Sequence, residues 1–257
     1  MKSSSDSKVG VRLEGVGLNF RLYRNRRPNL KSALLNLFGA GAKESHEKET
    51  FPALKEVDLT FAPGDRVGII GRNGAGKSSL LRVIAGIYRP SYGTVQTDGF
   101  LVPLFQVGLG FMPELTGQEN VEQAGAMFGL DREAMRERSD AIFEFAELQE
   151  FRETPLKYYS RGMGMRLAFT ATTSIQPEIL LLDEVFGGGD QGFREKAVQR
   201  MEELIERTPI VITVSHSMGI VKRIANRVLW LEKGRIHMDG EASEVIEAYE
   251  KAVADQA

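Results

Sequence analysis

One short segment constrains the fold of this chain more than any other, the glycine-rich stretch Gly71-Arg72-Asn73-Gly74-Ala75-Gly76-Lys77-Ser78. It agrees with the pattern G-x-x-x-x-G-K-[ST] at every fixed position. The apolar, β-rich residues 66–70 precede it, and a helical pattern over residues 79–85 follows it. A strand, a loop and a helix in this order are typical of a phosphate-binding loop.

Each residue type in the loop has a physical role. Glycine reaches backbone conformations that are closed to other residues, so the N–H groups of the loop can turn toward an anion. The following helix directs its partial positive charge at the same anion. We expect Lys77 to contact the β- and γ-phosphates of a nucleotide and the Ser78 hydroxyl to bind Mg²⁺. A glycine-rich surface turn is the alternative, and the flanking elements disfavour it.

Composition excludes several classes of protein. The net charge is −2 and the pI is about 6.0, which does not indicate a nucleic-acid partner. The 257 residues contain no cysteine, so neither disulfides nor thiol chemistry contribute. Residues 1–8 lack the apolar segment of a signal peptide. No apolar run approaches the ~20 residues that span a bilayer, so we expect a cytosolic chain, with docking to a membrane component left open.

Two other apolar strands are predicted to end in polar residues near the loop. Residues 179–182 lead into Asp183 and Glu184, and residues 210–214 lead toward His216. Because ligands gather at the carboxyl ends of parallel strands, we expect these side chains to surround the phosphates. Asp183 would then orient Mg²⁺, Glu184 would polarise a water molecule and His216 would face the γ-phosphate. Solvated carboxylates and a surface histidine are the alternative interpretation.

The rest of the chain alternates strand and helix patterns. Strands are predicted near residues 9–13, 54–61 and 94–97, and a hairpin near residues 228–237. Before this hairpin an amphipathic helix is predicted, whose apolar face carries Ile220, Val221, Ile224 and Val228.

Two segments interrupt the alternation. Residues 24–50 combine a basic cluster, an amphipathic helix and a polar stretch. Packing on the chain's own domain and docking to a partner or membrane surface explain this segment about equally well. Thr116 and Glu119 fit a capping box that opens a helical insertion extending to about Leu148. Ser160 is a natural N-cap for a further helix, whose free N–H groups at 161–163 would attract an anion.

In this order the motifs make the chain resemble the ATP-binding cassette (ABC) family over nearly its whole length. The phosphate loop agrees strictly, and Asp183 and Glu184 resemble the Walker B aspartate and the catalytic glutamate. The resemblance also assigns the Q-loop glutamine to Gln106, the D-loop aspartate to Asp190, the switch histidine to His216 and the adenine-stacking aromatic to Phe20, with Tyr23 as second choice.

The resemblance implies an α/β fold, a P-loop NTPase core of ABC type with an inserted helical subdomain and an N-terminal antiparallel β portion. The core would span about 1–110 and 176–257, the helical subdomain about 111–175, and an insertion about 24–50, all in one nucleotide-binding domain over 1–257. ATP and Mg²⁺ are the implied cofactors. The implied catalytic residues are Glu184 and His216, and the implied metal-binding residues are Ser78, Gln106 and Asp183. The implied nucleotide-binding residues are Phe20, Gly71, Arg72, Asn73, Gly74, Ala75, Gly76, Lys77, Ser78, Ser79, Ser160, Arg161, Gly162, Met163 and Asp190.

The signature segment indicates one branch of the family. Tyr159-Ser160-Arg161-Gly162-Met163 departs from the common Leu-Ser-Gly-Gly-Gln, and Val185 stands where the family usually has proline. Together with residues 108–117 and 244–249, this segment resembles the ATPases that serve O-antigen, capsule and teichoic-acid export. Some members carry a C-terminal carbohydrate-binding domain, which we do not expect here. Arg161 could strengthen closure over a phosphate, contact a partner subunit, or be a solvated substitution.

The resemblance also implies partners and a location. A second copy of the chain would complete each ATP site in a sandwich dimer, and an integral membrane permease would receive the motion. The protein would be peripheral, on the cytoplasmic face of the inner (plasma) membrane, with neither nucleic acid nor glycan bound directly. The alternatives are an ABC ATPase that powers another export or acts as a soluble module, an unrelated P-loop kinase, and a non-catalytic binding module.

Overall fold

The computed structural model of the chain describes residues 9–21, 50–108, 110–183, 191–215 and 217–255. Residues 1–8 and nearly all of the predicted insertion at 24–50 lie outside this part. The strands form two sheets. The smaller is antiparallel, in the order β2-β1-β4, and consists of β1 (Gly10–Arg21), β2 (Thr50–Phe61) and β4 (Tyr92–Asp98).

The larger sheet has six strands: β3 (Arg66–Ile70), β5 (Leu101–Pro103), β6 (Ile179–Asp183), β7 (Ile210–Val214), β8 (Arg227–Glu232) and β9 (Arg235–Glu241). Their order is β5-β6-β7-β3-β8-β9, and the first five run parallel while β9 is antiparallel. β3, β6 and β7 are almost entirely buried, as expected for parallel strands covered on both faces. The predicted α/β class with an N-terminal antiparallel portion is confirmed.

The described part of the chain contains seven α-helices: α1 (Lys77–Ile84), α2 (Gly117–Met127), α3 (Arg132–Ala146), α4 (Arg161–Thr173), α5 (Gln191–Arg207), α6 (Met218–Ile224) and α7 (Ala242–Ala254). None of them combines the length and hydropathy needed to cross a bilayer.

The helical pattern predicted from Thr116 to about Leu148 is confirmed. It is divided between α2 and α3, because Gly129 takes a left-handed backbone (φ 74°) and the chain turns there before α3 begins. One helix prediction needs correction. The helix predicted to include Val228 ends at Ile224, and Val228 lies in β8. Asn226 explains this end, because it exchanges hydrogen bonds with the backbone of Arg66 and so starts the pairing of β8 with β3.

The helices of the insertion pack around one apolar core, which Val102 of β5 also joins. Met135, Phe143 and Leu167, from α3 and α4, are fully buried there. Asn120 in α2 is also fully buried, and its side-chain amide donates to the carbonyls of Met112, Leu115 and Thr116 while its oxygen accepts from the Met112 N–H. This side chain makes hydrogen bonds that water would otherwise make to the backbone of residues 112–116, and it thereby fixes how the chain enters α2.

Candidate nucleotide-binding site

The glycine-rich loop leaves the middle of the six-stranded sheet, between β3 and α1. Three of its residues, Gly71, Gly74 and Gly76, have φ angles of 143°, 78° and 109°. Side-chain-bearing residues rarely adopt such angles, so the loop geometry depends on these glycines. Arg72, Asn73 and Gly74 are exposed, whereas Gly71 and Ala75 are buried.

Lys77 folds back over this loop. The residue is 7% exposed, and its ammonium donates to the carbonyls of Gly71, at 2.8 Å, and Arg72, at 3.1 Å. The ammonium therefore lies against the loop whose N–H groups can turn toward an anion. A cation beside such a loop and beside a helix N-terminus fits a polyphosphate ligand.

The N-terminus of α1 is also open to an anion. Its N-cap is Gly76, which has no side chain to accept a hydrogen bond, and its first turn contains no acidic residue. The first N–H groups of a helix lack intrahelical partners and carry a partial positive charge. Ser78 and Ser79, in this turn, are half-buried.

The parallel order β6-β7-β3 brings other predicted residues to the same sheet edge. Asp183 ends β6, lies half-buried, and pairs with Val214 at the end of β7, which is the neighbour of β3. Ser215 follows β7, is 7% exposed, and accepts a hydrogen bond from the Ser217 N–H through its Oγ at 3.1 Å. The predicted catalytic residues Glu184 and His216, and the predicted Asp190, lie outside the described residues.

The residues proposed for Mg²⁺ are Ser78, Asp183 and Gln106, all of which carry oxygen ligands suited to this ion. Gln106 ends a 3₁₀ turn (Leu104–Gln106) directly after β5, which pairs with β6, and only its backbone is described. In the described ranges no group of three or more His, Cys, Asp or Glu could hold a metal. A Mg²⁺ that shares nucleotide phosphates needs only one or two protein ligands, so the donor set fits.

The signature segment begins α4. Ser160 is the N-cap, as predicted, and its Oγ accepts from the Met163 N–H at 3.2 Å. The expectation that the N–H groups at 161–163 are all free is therefore wrong for Met163. Ser160, Arg161 and Gly162 are exposed. A hydroxyl that accepts one hydrogen bond still has its own hydrogen to donate, so Ser160 can cap the helix and contact an anion together.

Tyr159 anchors this segment to the helical insertion. Its hydroxyl donates to the carbonyl of Phe151 at 2.7 Å. Burial of the ring, with a smaller effect from the Glu153 charge, raises the pKa of Tyr159 to about 12. The phenol therefore stays protonated and keeps this hydrogen bond at every physiological pH.

Phe20, the predicted adenine-stacking residue, lies near the end of β1. It is half-buried against the core, and its ring packs edge-on against Tyr88 with centroids 5.5 Å apart. Tyr23, the second choice, lies outside the described residues.

Three residues that no sequence motif indicates support the loop from behind. They are Ala53 of β2, Leu231 of β8 and Gly234 of the β8–β9 turn, and backbone atoms make their contacts. A cavity of about 380 Å³, also not predicted from the sequence, lies between the loop, Trp230 and the Tyr249 face of α7. The Lys233-Gly234 turn was the one signal available, and it predicted only a hairpin.

Comparisons with known proteins identify the family of the chain. The sequence profile of the ABC transporter family matches residues 54–187. The O-antigen export system ATP-binding protein RfbB of Klebsiella pneumoniae is 38% identical over 231 residues, covering 86% of this chain and 94% of that protein. The teichoic acids export ATP-binding protein TagH of Staphylococcus saprophyticus is 34% identical over 247 residues, covering 96% and 90%.

A solved structure, the dimeric ATP-binding cassette MJ0796 in a post-hydrolysis state bound to ADP and Pi, superposes with a TM-score of 0.64. It is 24% identical and covers 90% of this chain and 98% of its own, so it supports the fold alone. The fold and the open glycine-rich loop define a P-loop nucleotide-binding protein. With the profile match and the relatives above, the chain belongs to the ABC transporter family, as the resemblance of its motifs predicted.

Proposed function

We propose that this chain is the ATP-hydrolysing subunit of an ABC transporter that exports a polysaccharide or lipid-linked glycan across the cytoplasmic membrane. The observation that carries this proposal is the 38% identity, over 86% of the chain, to an O-antigen export ATP-binding protein. The teichoic-acid export relative, at 34% over 96% of the chain, supports the same class of cargo.

The phosphates of ATP would bind in the loop 71–79, on its N–H groups and on the α1 N-terminus. Lys77, already directed over the loop by its contacts with two carbonyls, would contact the terminal phosphates. Mg²⁺, held by Ser78 and Asp183 and reached by Gln106, would offset phosphate charge when bound. Phe20 would stack on the adenine.

Hydrolysis needs a positioned water, and Glu184 and His216 are the proposed residues for this step. The exposed segment Ser160–Met163 of a second copy would close over the γ-phosphate of the first, with Asp190 at the same interface. Exposure of Ser160 and Gly162 supports this role, since a buried signature could not reach another subunit.

Closing and opening of the dimer would move the helical subdomain at about 111–175 relative to the core, with Gln106 at the junction. An integral membrane permease is the proposed receiver of this motion, and the inner face of the cytoplasmic membrane is the proposed location. The apolar core around Phe143 packs the helices of this subdomain together, which supports their movement as a unit, and Val102 of β5 joins this core at the junction.

The test of the hydrolytic site is Glu184→Gln, with the exposed Glu150→Gln as matched control. The amide keeps the shape of the side chain and loses the charge that polarises water. We expect ATP to bind, hydrolysis to nearly stop, and an ATP-bound dimer to accumulate in size-exclusion chromatography. Normal turnover in this variant would remove Glu184 from the mechanism.

Copurification tests the transporter assignment. The tagged chain, co-expressed with a permease encoded beside it, should be retained in detergent together with that permease. A chain that purifies alone and hydrolyses ATP at full rate would favour a soluble ABC module instead.

A separate variant, Arg161→Ala, tests whether this residue contacts the phosphate. The measurement is ATP-driven dimerisation, and an unchanged dimer affinity would exclude the phosphate role.

A further inference from the structure

Behind the phosphate loop, the backbone of the loop meets that of β2 and β8, and the β8–β9 turn meets β2. A glycine lies at each of these three contacts. A Cβ atom placed on Gly76 would lie 2.6 Å from the Ala53 carbonyl oxygen, and one placed on Gly234 would lie 2.7 Å from the same oxygen. A Cβ on Gly71 would lie 2.2 Å from the Leu231 carbonyl oxygen. Side-chain carbons essentially never approach backbone atoms below 3.0 Å, so these contacts admit only glycine.

Gly234 also links two of these segments by hydrogen bonds. Its N–H donates to the Ala75 carbonyl of the phosphate loop at 2.9 Å, and its own carbonyl accepts from the Lys55 N–H of β2 at 2.8 Å. Lys55 has no β1 partner in the ladder because the register shifts there, with Leu54 opposite Leu18 and Val57 opposite Val16. The irregularity in β2 therefore provides the donor that holds Gly234.

The turn that carries Gly234 has a defined geometry. Glu232 pairs with Arg235, and the two residues between them, Lys233 and Gly234, have φ angles of 47° and 82°. A two-residue hairpin with both angles positive is a type I′ turn, which fits the twist of its strands. Because β8 pairs with β3, the strand that leads into the loop, both ends of the loop are tied to the same hairpin.

We propose that Gly234 is a positioning residue for ATP binding. Its hydrogen bond to the Ala75 carbonyl and its close contact with the Ala53 carbonyl oxygen fix the part of the phosphate loop around Ala75. This inference rests on the proposed ATP-binding function of the loop. It assigns no contact between Gly234 and the nucleotide, since Gly234 acts through the loop.

The experiment compares Gly234→Ala with Gly64→Ala. Gly64 is a matched control, because it too has a left-handed backbone (φ 97°), donates its N–H to another loop and accepts a side-chain hydrogen bond, yet a Cβ there meets nothing within 4 Å. We expect Gly234→Ala to raise the Kd for a fluorescent ATP analogue by about tenfold or more, the size expected of a strained backbone position. Gly64→Ala should leave the Kd within about twofold.

Asparagine variants distinguish the effect of the short contact between a Cβ at position 234 and the Ala53 carbonyl oxygen from the effect of backbone strain. Asn tolerates a left-handed backbone better than Ala does but still carries a Cβ. We therefore expect Gly64→Asn to recover the stability lost in Gly64→Ala, whereas Gly234→Asn should bind ATP as weakly as Gly234→Ala. Recovery of ATP affinity in Gly234→Asn would overturn the positioning role.

Hydrogen exchange on the parent chain tests the proposal without a variant, in case Gly234→Ala does not fold. Saturating ATP should slow exchange of the Gly234 and Lys55 amides more than that of the Gly64 amide, which donates to Pro209. Equal slowing at all three sites, or none, would overturn the inference. If the parent itself binds no ATP analogue, the proposed function fails instead, so the two failures are distinguishable.

Discussion

The starts of α1 and α4 are two helix N-termini that the sequence assigns to the same nucleotide, yet they are built differently. The N-cap of α1 is Gly76, which has no side chain to cap the helix. The N-cap of α4 is Ser160, whose Oγ accepts a hydrogen bond from the Met163 N–H. The first leaves its N–H groups for an external anion, and the second satisfies part of its own start. The difference indicates that the start of α1 has N–H groups available for a ligand, whereas the start of α4 is stabilised in part by its own serine.

Lys77→Ala is the largest test of this comparison. The open α1 terminus and the Lys77 ammonium should act together on ATP, so removing the ammonium should weaken ATP binding about 10- to 100-fold, the range for hydrogen bonds to a charged group. Isothermal titration measures the change, with the ion-paired surface residue in Lys222→Ala as control. Unchanged affinity would mean that the loop N–H groups suffice alone.

Ser160→Asp tests the other terminus. Aspartate caps a helix about as well as serine, so the free energy of unfolding should stay near that of the parent. It cannot donate a hydrogen bond to a phosphate and it repels one, so the ATP-driven dimer should be lost in light scattering. Ser160→Thr, which keeps both the cap and the hydroxyl, is the control. A normal dimer in Ser160→Asp would reduce Ser160 to a cap.

Thr116→Ala tests a terminus that serves structure alone. Thr116 and Glu119 form a complete capping box at the start of α2, with the Glu119 carboxylate accepting from the Thr116 N–H. The loss of this cap should cost about 1 kcal/mol of unfolding free energy, or about 2–4 °C in Tm, without altering ATP affinity. Thr116→Ser should restore the Tm measured by calorimetry.

The effect with the least influence near neutral pH is the pH dependence from Tyr159. Because the folded pKa is raised to about 12, the unfolded state loses its proton first, near pH 10, and this contribution to stability falls as pH rises between the two values. Denaturant unfolding across this window should show a shallower decline in Tyr159→Phe. Tyr158→Phe, at a neighbouring residue that is 69% exposed, is the control, and an equal effect of both variants would contradict the assignment.

The local features of the fold followed from the sequence with few errors. The capping box at Thr116, the N-cap at Ser160 and the β8–β9 hairpin are confirmed, because each depends on residues within a few positions of one another. Val228 was predicted both on a helix, since its spacing from Ile224 fits one, and in the hairpin, and pairing with β3 decided for the strand. The family was equally readable, because several short motifs follow one another in the order that the ABC family has.

The sequence by itself predicted which loop would bind an anion and which strand precedes it, since glycine spacing, a lysine and a helix start without a side-chain cap are local properties of the chain. Only the tertiary structure decided what stands behind that loop. The Ala53 carbonyl and the Gly234 N–H come from segments about 180 residues apart, and their contacts use backbone atoms that every residue carries. Such contacts leave no side-chain pattern in a sequence, so they become visible only when the sheets assemble.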